Sequence, residues 1–169
     1  EDWGDTTFEY LAVTTPVYNV SYDLDVQDAY IYSTSWAGGL RRFNYLIDSP
    51  EWEVIPLPMD DQDSLFCNNI DLSSYLLNPV DYDNQKAFSI YAESDTILWV
   101  GSAGGINKGI LDEDGCINWK NYNTDDGLGG FWVIGIIPQY FDSFTRLWLI
   151  SWDSVPPSGH KLTYTDDVG

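Results

Sequence analysis

Hydrophobic residues in this chain come in short runs, and nearly every run ends at Gly, Pro, Asn or Asp. No apolar stripe is sustained at i, i+3, i+4 and i+7. The pattern predicts strands and turns rather than amphipathic helices. Two runs, Ile97-Leu98-Trp99-Val100 and Leu147-Trp148-Leu149-Ile150, are apolar without a break. Such runs predict strands covered on both faces, whereas a strand with one wet face alternates. Asp114-Gly115 has the form of a tight hairpin turn, and Asp126-Gly127 marks the exit from a strand.

The runs also repeat. Tyr30 to Phe43, Thr96 to Gly109 and Arg146 to Asp153 each hold an apolar strand with an aromatic near its start: Tyr32, Trp99 and Trp148. In the first two, Ala-Gly-Gly follows (Ala37 to Gly39, Ala103 to Gly105), then a second apolar stretch. The third lacks the Gly pair. A strand-like stretch precedes each: Val17 to Val26, Ala87 to Glu93, Trp132 to Pro138. In the first two units a Trp-led strand follows, at Trp52 and Trp119, and leads into acidic turn residues. The unit is strand, strand, Gly turn, strand, Trp strand, which is the make-up of a four-stranded propeller blade. Trp99 and Trp148 lie 49 residues apart, close to one blade. Tyr32 and Trp99 lie 67 apart, and the surplus falls between Met59 and Lys86.

Ala87 to Gly109, with Ile90, Leu98-Trp99-Val100-Gly101-Ser102 and Gly104-Gly105-Ile106, resembles the two-component regulator propeller repeat. Asp126-Gly127-Leu128, then Val133 and Ile136, is similar to that family's link between repeats. The first unit departs from it: Tyr32 replaces Trp, and Trp36 is inserted before the Gly turn. The third keeps Leu147-Trp148 and loses the Gly elements. A weaker similarity runs to sortilin-like and neuraminidase-like propellers. Asp114-Gly115-Cys116-Ile117-Asn118-Trp119 lacks the residue that their Asp-box places between Asp and Gly. The resemblance implies a periplasmic or extracellular bacterial location. It also implies non-catalytic binding of a ligand or protein, often in the sensor part of a signalling protein.

The expected fold is all-β, a β-propeller segment spanning 1–169 with blades of four antiparallel strands. Residues 6–13 read as the outer strand of a preceding blade. Residues 17–58 and 87–123 read as two complete blades, and 132–169 as a partial one. Residues 59–86 read as an insertion between blades, with a helical turn starting near Asp71. Propellers close with about four to eight blades. The expectation is therefore an arc completed by further blades of a longer chain, with self-association of copies as the alternative.

Composition narrows the partners. The formal charge is −20, from 7 basic and 27 acidic residues. That excludes nucleic acid, which needs a basic footprint, and docking on anionic lipid. No apolar stretch reaches the roughly 18–20 residues of a membrane-spanning helix, so no membrane insertion is expected within the segment. The chain begins at Glu1 without a signal-peptide pattern and reads as a mature product or an excised piece. Cys67 and Cys116 admit a disulfide in an oxidising compartment, with two free thiols as the simpler expectation.

Candidate chemistry rests on acids and aromatics. Asp112, Glu113 and Asp114 form one acidic turn, Asp125 and Asp126 another, and Asp60, Asp61 and Asp63 a third. Calcium takes six to eight oxygen ligands, and none of these runs has EF-hand spacing. No cofactor is expected, and calcium at Asp112, Glu113, Asp114, Asp125 and Asp126 is the metal to test. Trp36 and Trp152 each follow a Ser beyond the middle of a strand. They are the candidate ligand contacts on a shared rim, for a carbohydrate or a protein. No catalytic residue is assigned. His160 follows Pro-Pro-Ser-Gly and reads as a solvated loop histidine. Asn19-Val20-Ser21 fits the glycosylation pattern but lies in an expected strand.

Two other functions compete with ligand binding. One is a structural scaffold of a secreted or surface-attached protein. The other is part of a sialidase-like glycoside hydrolase, which needs clustered arginines. Only Arg41, Arg42 and Arg146 exist, and Arg41 and Arg42 fall on opposite faces of one strand.

Overall fold

The computed structural model of the chain describes residues 20–71, 75–153 and 159–166. These residues form three antiparallel sheets and no α-helix. The first sheet runs in chain order through β1 (Ser21–Gln27), β2 (Tyr30–Ser35), β3 (Gly39–Asn44) and β4 (Trp52–Ile55). Next comes β5 (Ser64–Leu65). The second sheet orders β6 (Ala87–Ala92), β7 (Ile97–Ser102), β8 (Gly105–Leu111) and β9 (Ile117–Tyr122), and β5 is added beyond β9. The third holds β10 (Trp132–Tyr140), β11 (Thr145–Asp153) and β12 (Gly159–Thr165). The outer strand expected at 6–13 and the sequon's Asn19 lie outside the described residues. So does part of the helical turn expected near Asp71; the short 3-10 turns nearby start at Cys67 and Asp83.

Directly opposed residues of an antiparallel pair share a face. We call the face a sheet turns to the next sheet its forward face. Tyr32, Leu40 and Ile55 on the forward face of the first sheet pack with Ile90, Leu98, Val100 and Trp119 on the backward face of the second. Trp99 and Ile106 on the forward face of the second pack with Val133, Leu147 and Leu149 of the third. Tyr32 is 0% exposed and Trp99 2% exposed, so each of these two aromatics plugs one interface. Burying such a side chain stabilises by about 1.5–3 kcal/mol. The glycine of Leu98-Trp99-Val100-Gly101 has a matching reason. A Cβ on Gly101 would lie 2.4 Å from the Val133 carbonyl oxygen and 2.3 Å from Ser89 Oγ. Its absence lets the third sheet close on the second.

The first strands of the sheets, β1, β6 and β10, pack side by side, with β6 in the middle. Each skips one residue in its register: Tyr22 against β2, Phe88 against β7, Ile134 against β11. These strands are also sheet edges, whose backbone N–H groups lack a ladder partner. Asp23 and Asp25 supply partners on both sides. Asp23 accepts from its own neighbour Leu24 N at 3.0 Å and from Ile90 N of β6 at 3.0 Å. Asp25 accepts from Val26 N at 2.8 Å and Ala92 N at 2.7 Å. Between the second and third sheets, Ser89 Oγ donates to the Val133 carbonyl at 3.2 Å.

Residues 63–67 run along the outer edge of the second sheet. β5 pairs with β9, and Cys67 is bonded to Cys116 in the β8–β9 turn, with Cα atoms 5.9 Å apart. The expectation of two free thiols is corrected here. β5 carries Cys67 to the turn, and nothing local in the sequence signals that pairing.

Three outcomes follow for denaturant unfolding. Asp23→Ala or Asp25→Ala leaves a partly buried N–H unpaired and costs about 1–2 kcal/mol. Gly101→Ala forces the second and third sheets apart and costs about 1–3 kcal/mol or more. Replacing both cysteines by Ser costs about 2–4 kcal/mol; an unchanged midpoint would remove the staple's role. A fourth concerns pH. Burial raises the Tyr32 phenol above its ordinary value, against the opposing pull of Arg42. Its contribution to stability is complete below pH about 10 and is lost as pH rises through the folded-state value. Tyr32→Phe is expected to flatten the fall of the thermal midpoint in that alkaline range.

Candidate functional site

The bulges decide where the candidate site lies. A bulge re-aims its side chain, and Tyr22 and Phe88 are two such residues. Their rings begin a row across three sheets: Tyr22 to Phe88 at 5.9 Å, Phe88 to Trp132 at 5.8 Å, Trp132 to Trp152 at 4.8 Å between centroids. Beside Trp132 opens a groove of about 320 Å³, lined by Asp60, Asp83, Asp153, Asn123, Phe131 and Trp132 with the Ala103-Gly104 turn.

A buried amide cluster holds the floor of this region in place. Asn84 Nδ2 donates to the Pro58 carbonyl at 2.9 Å and to Asn107 Oδ1 at 3.0 Å. Its Oδ1 accepts from Ser102 Oγ, and from Asn107 Nδ2 at 2.9 Å. Asn121 Nδ2 reaches Asn107 Oδ1 at 3.1 Å. Satisfied polar networks of this kind fix a single arrangement. The backbone at Asp83 and Asn84 in turn positions one of the carboxylates. Asp60 accepts from Asp83 N at 2.9 Å and Asn84 N at 2.8 Å. Asp83 pairs with Lys86, and Asp153 with Lys161 at 3.4 Å. The groove therefore offers flat aromatic surface next to fixed oxygen acceptors. That combination suits a saccharide, whose C–H face covers a ring while its hydroxyls donate to carboxylates.

Of the two tryptophans expected on a shared rim, Trp152 belongs to the aromatic row and lies edge-on to Trp132. Trp36 stands in the β2–β3 turn, partly buried, with Lys86 Nζ 6.0 Å from its ring centroid. Tyr22, Phe88, Trp132, Asp83 and Asp153 were not singled out by sequence reasoning. The skipped register that brings the first two together has no sequence signature here.

The other two acidic turns sit elsewhere. Asp112, Glu113 and Asp114 lie in the β8–β9 turn, where Asp112 Oδ1 accepts from Asp114 N at 3.0 Å and Cys116 N at 2.9 Å. Asp125 and Asp126 lie beyond the other end of β9. There Asp126 accepts from Asn123 N at 3.0 Å and Asn123 Oδ1 from Asp125 N at 2.8 Å. The length of β9, about 17 Å at roughly 3.3 Å per residue, separates the two sets. They do not combine into one cation site. Among the described residues, the cluster with metal-ligand spacing is Cys67, Asp112 and Cys116, whose sulfurs are bonded to each other.

His160 is not a loop residue. It lies exposed in β12, opposite Trp152. The arginines are dispersed. Arg42 pairs with Glu53 and donates to the Gly115 carbonyl at 2.8 Å. Burial acts to lower its pKa, but Glu53 outweighs that and holds it raised. Arg41 is buried on the opposite face of β3. Arg146 on the third sheet binds Asp166 through two bonds, at 2.6 and 2.9 Å. Comparison with protein-family models, curated proteins and solved structures finds no match.

With its acidic turns engaged by their own backbone, the chain is expected to show no calcium-specific thermal shift at matched ionic strength. A midpoint raised by calcium and returned by a chelator would contradict this.

Proposed function

We propose that the chain is a non-catalytic, ligand-binding segment of a β-propeller, working in an exported bacterial sensor or surface protein. The observation that carries the reading is the groove beside Trp132, lined by Phe131, Trp132 and three carboxylates, with Trp132 also part of an aromatic row that crosses three successive sheets. The propeller part draws support from the equivalence of the sheets. Each opens on an inner strand bulged at the same place, and each second strand carries the repeat aromatic on its forward face. The disulfide agrees with an oxidising compartment such as the periplasm or the cell exterior. A hydrolase of sialidase type is disfavoured by arginines spread over two different sheets.

Titration with a panel of neutral and amine-bearing oligosaccharides, followed by tryptophan fluorescence and calorimetry, tests the reading. Saturable binding is expected, and Trp132→Ala is expected to weaken it at least tenfold, equivalent to about 1.4 kcal/mol. Binding that is indifferent to Trp132 would exclude this groove. No binding across the panel would favour the scaffold role.

A further inference from the structure

The three aspartates that line the groove beside Trp132 come from separate parts of the chain. Asp60 follows β4, Asp83 opens the 3-10 turn before β6, and Asp153 ends β11. None of the described residues lining the groove is basic. Two lysines reach these aspartates from outside it, and the two pairs differ. The Lys86 side chain is 13% exposed against 53% for Asp83, so the ammonium is covered and the carboxylate is turned to solvent. Asp153 is the covered member of its pair, at 15% against 36% for Lys161. Asp60 is exposed, and its two carboxylate oxygens each accept one backbone N–H, from Asp83 and from Asn84. Each of those oxygens retains a further lone pair. Asp60 and Asp83 therefore stand side by side at the groove with negative charge exposed.

This is not the geometry of a metal site, whose ligands converge on one point. Among the described residues, the acid and thiol groups whose ligand atoms all fall within 4.8 Å of one another are Cys67, Asp112 and Cys116, and the groove's aspartates do not form such a cluster. Spread carboxylates beside aromatic rings suit a larger, organic cation with a face of its own. Phe131 is exposed and Trp132 half-buried, and the faces of such rings attract positive charge. The charge of −20 on the chain draws cations toward the groove and repels acidic sugars. The groove's volume lies at the small end of the roughly 300–1,000 Å³ of ligand pockets, which is room for a single sugar ring.

We propose that the groove selects saccharides bearing a protonated amine. The sugar ring lies against Phe131 and Trp132, and its ammonium donates to the lone pairs left on Asp60 and Asp83. Hydrogen bonds between two charged groups are stronger than those a neutral hydroxyl would make to the same carboxylates. The inference rests on the groove being the ligand site proposed above, and it adds the charge that the ligand carries.

The probes are a short oligosaccharide of glucosamine and its N-acetylated counterpart, which share a skeleton and differ in charge. The whole chain is titrated with each in mildly acidic, low-salt buffer, which keeps the sugar amine protonated, and tryptophan fluorescence is followed. The amine form is expected to bind about fivefold tighter, the scale of an exposed charge pair. Asp83→Asn and Asp60→Asn each bring that ratio to about twofold or less. Asp95→Asn removes a charge from the β6–β7 turn, at the other end of β7 from the groove, and leaves the ratio unchanged. A ratio is the readout because a folding defect weakens both ligands alike. Equal, Trp132-dependent binding of the two forms overturns the amine and leaves the groove reading standing. So does a ratio that neither groove variant alters, or one that Asp95→Asn lowers as far as Asp83→Asn does. Binding of neither form overturns the inference as well. A lysine-bearing peptide then separates the causes: Trp132-dependent binding keeps the groove as a site for a protein amine, and its failure removes the groove reading too.

Discussion

A sheet that is apolar on both faces must be covered on both, and the architecture of this protein follows from that constraint. The second sheet meets it in full. Its backward face lies under Tyr32, Leu40 and Ile55, and its forward face on Val133, Leu147 and Leu149. The uninterrupted runs in β7 and β11 are its expression in sequence. Gly101 is its expression in backbone spacing, because the covering sheet comes so close that a methyl group would strike it. Among the described residues, Leu24 and Val26 of the first sheet and Leu162 and Tyr164 of the third stay exposed.

Stacking sheets in this way creates a second difficulty. The inner strands become edges that face one another, each with N–H groups its own ladder does not use. Asp23 and Asp25 resolve it by binding backbone donors of two strands with one carboxylate each. This explains why β1 alternates acidic and apolar residues, a pattern that would otherwise suggest a solvated face. The one-residue bulges lie on these same strands. They turn Tyr22 and Phe88 toward Trp132 and so build the aromatic row beside the acidic groove. Fold and candidate site thus share a cause, since the strands that bring the sheets together also carry the aromatic row.

Parts of the site were legible in the sequence. Trp152 stood out because its position repeats that of Trp36, and it belongs to the aromatic row. Asp60 stood out as part of an acidic cluster and lines the groove. Trp132 and Phe88 did not stand out, because in an aromatic-rich β chain their type distinguishes nothing. What singles them out is a register shift, and register depends on pairing between strands. The acidic turns present a related case. Adjacent carboxylates look like ligands in sequence, yet Asp112 and Asp126 are occupied by the N–H groups of their own turns.

The sequence by itself determined the local matters. Strand against helix, the Gly turns and the repeated aromatics all follow from side-chain periodicity and backbone sterics within a few residues. Only the tertiary structure decided the long-range ones. These are the pairing of β5 with β9, the bond between Cys67 and Cys116, and the aspartate bridges from β1 to β6. The burial of Tyr32 and Trp99 against the exposure of Trp148 belongs with them. Each depends on which segments meet across many residues of chain, and that is settled by the packing of whole sheets.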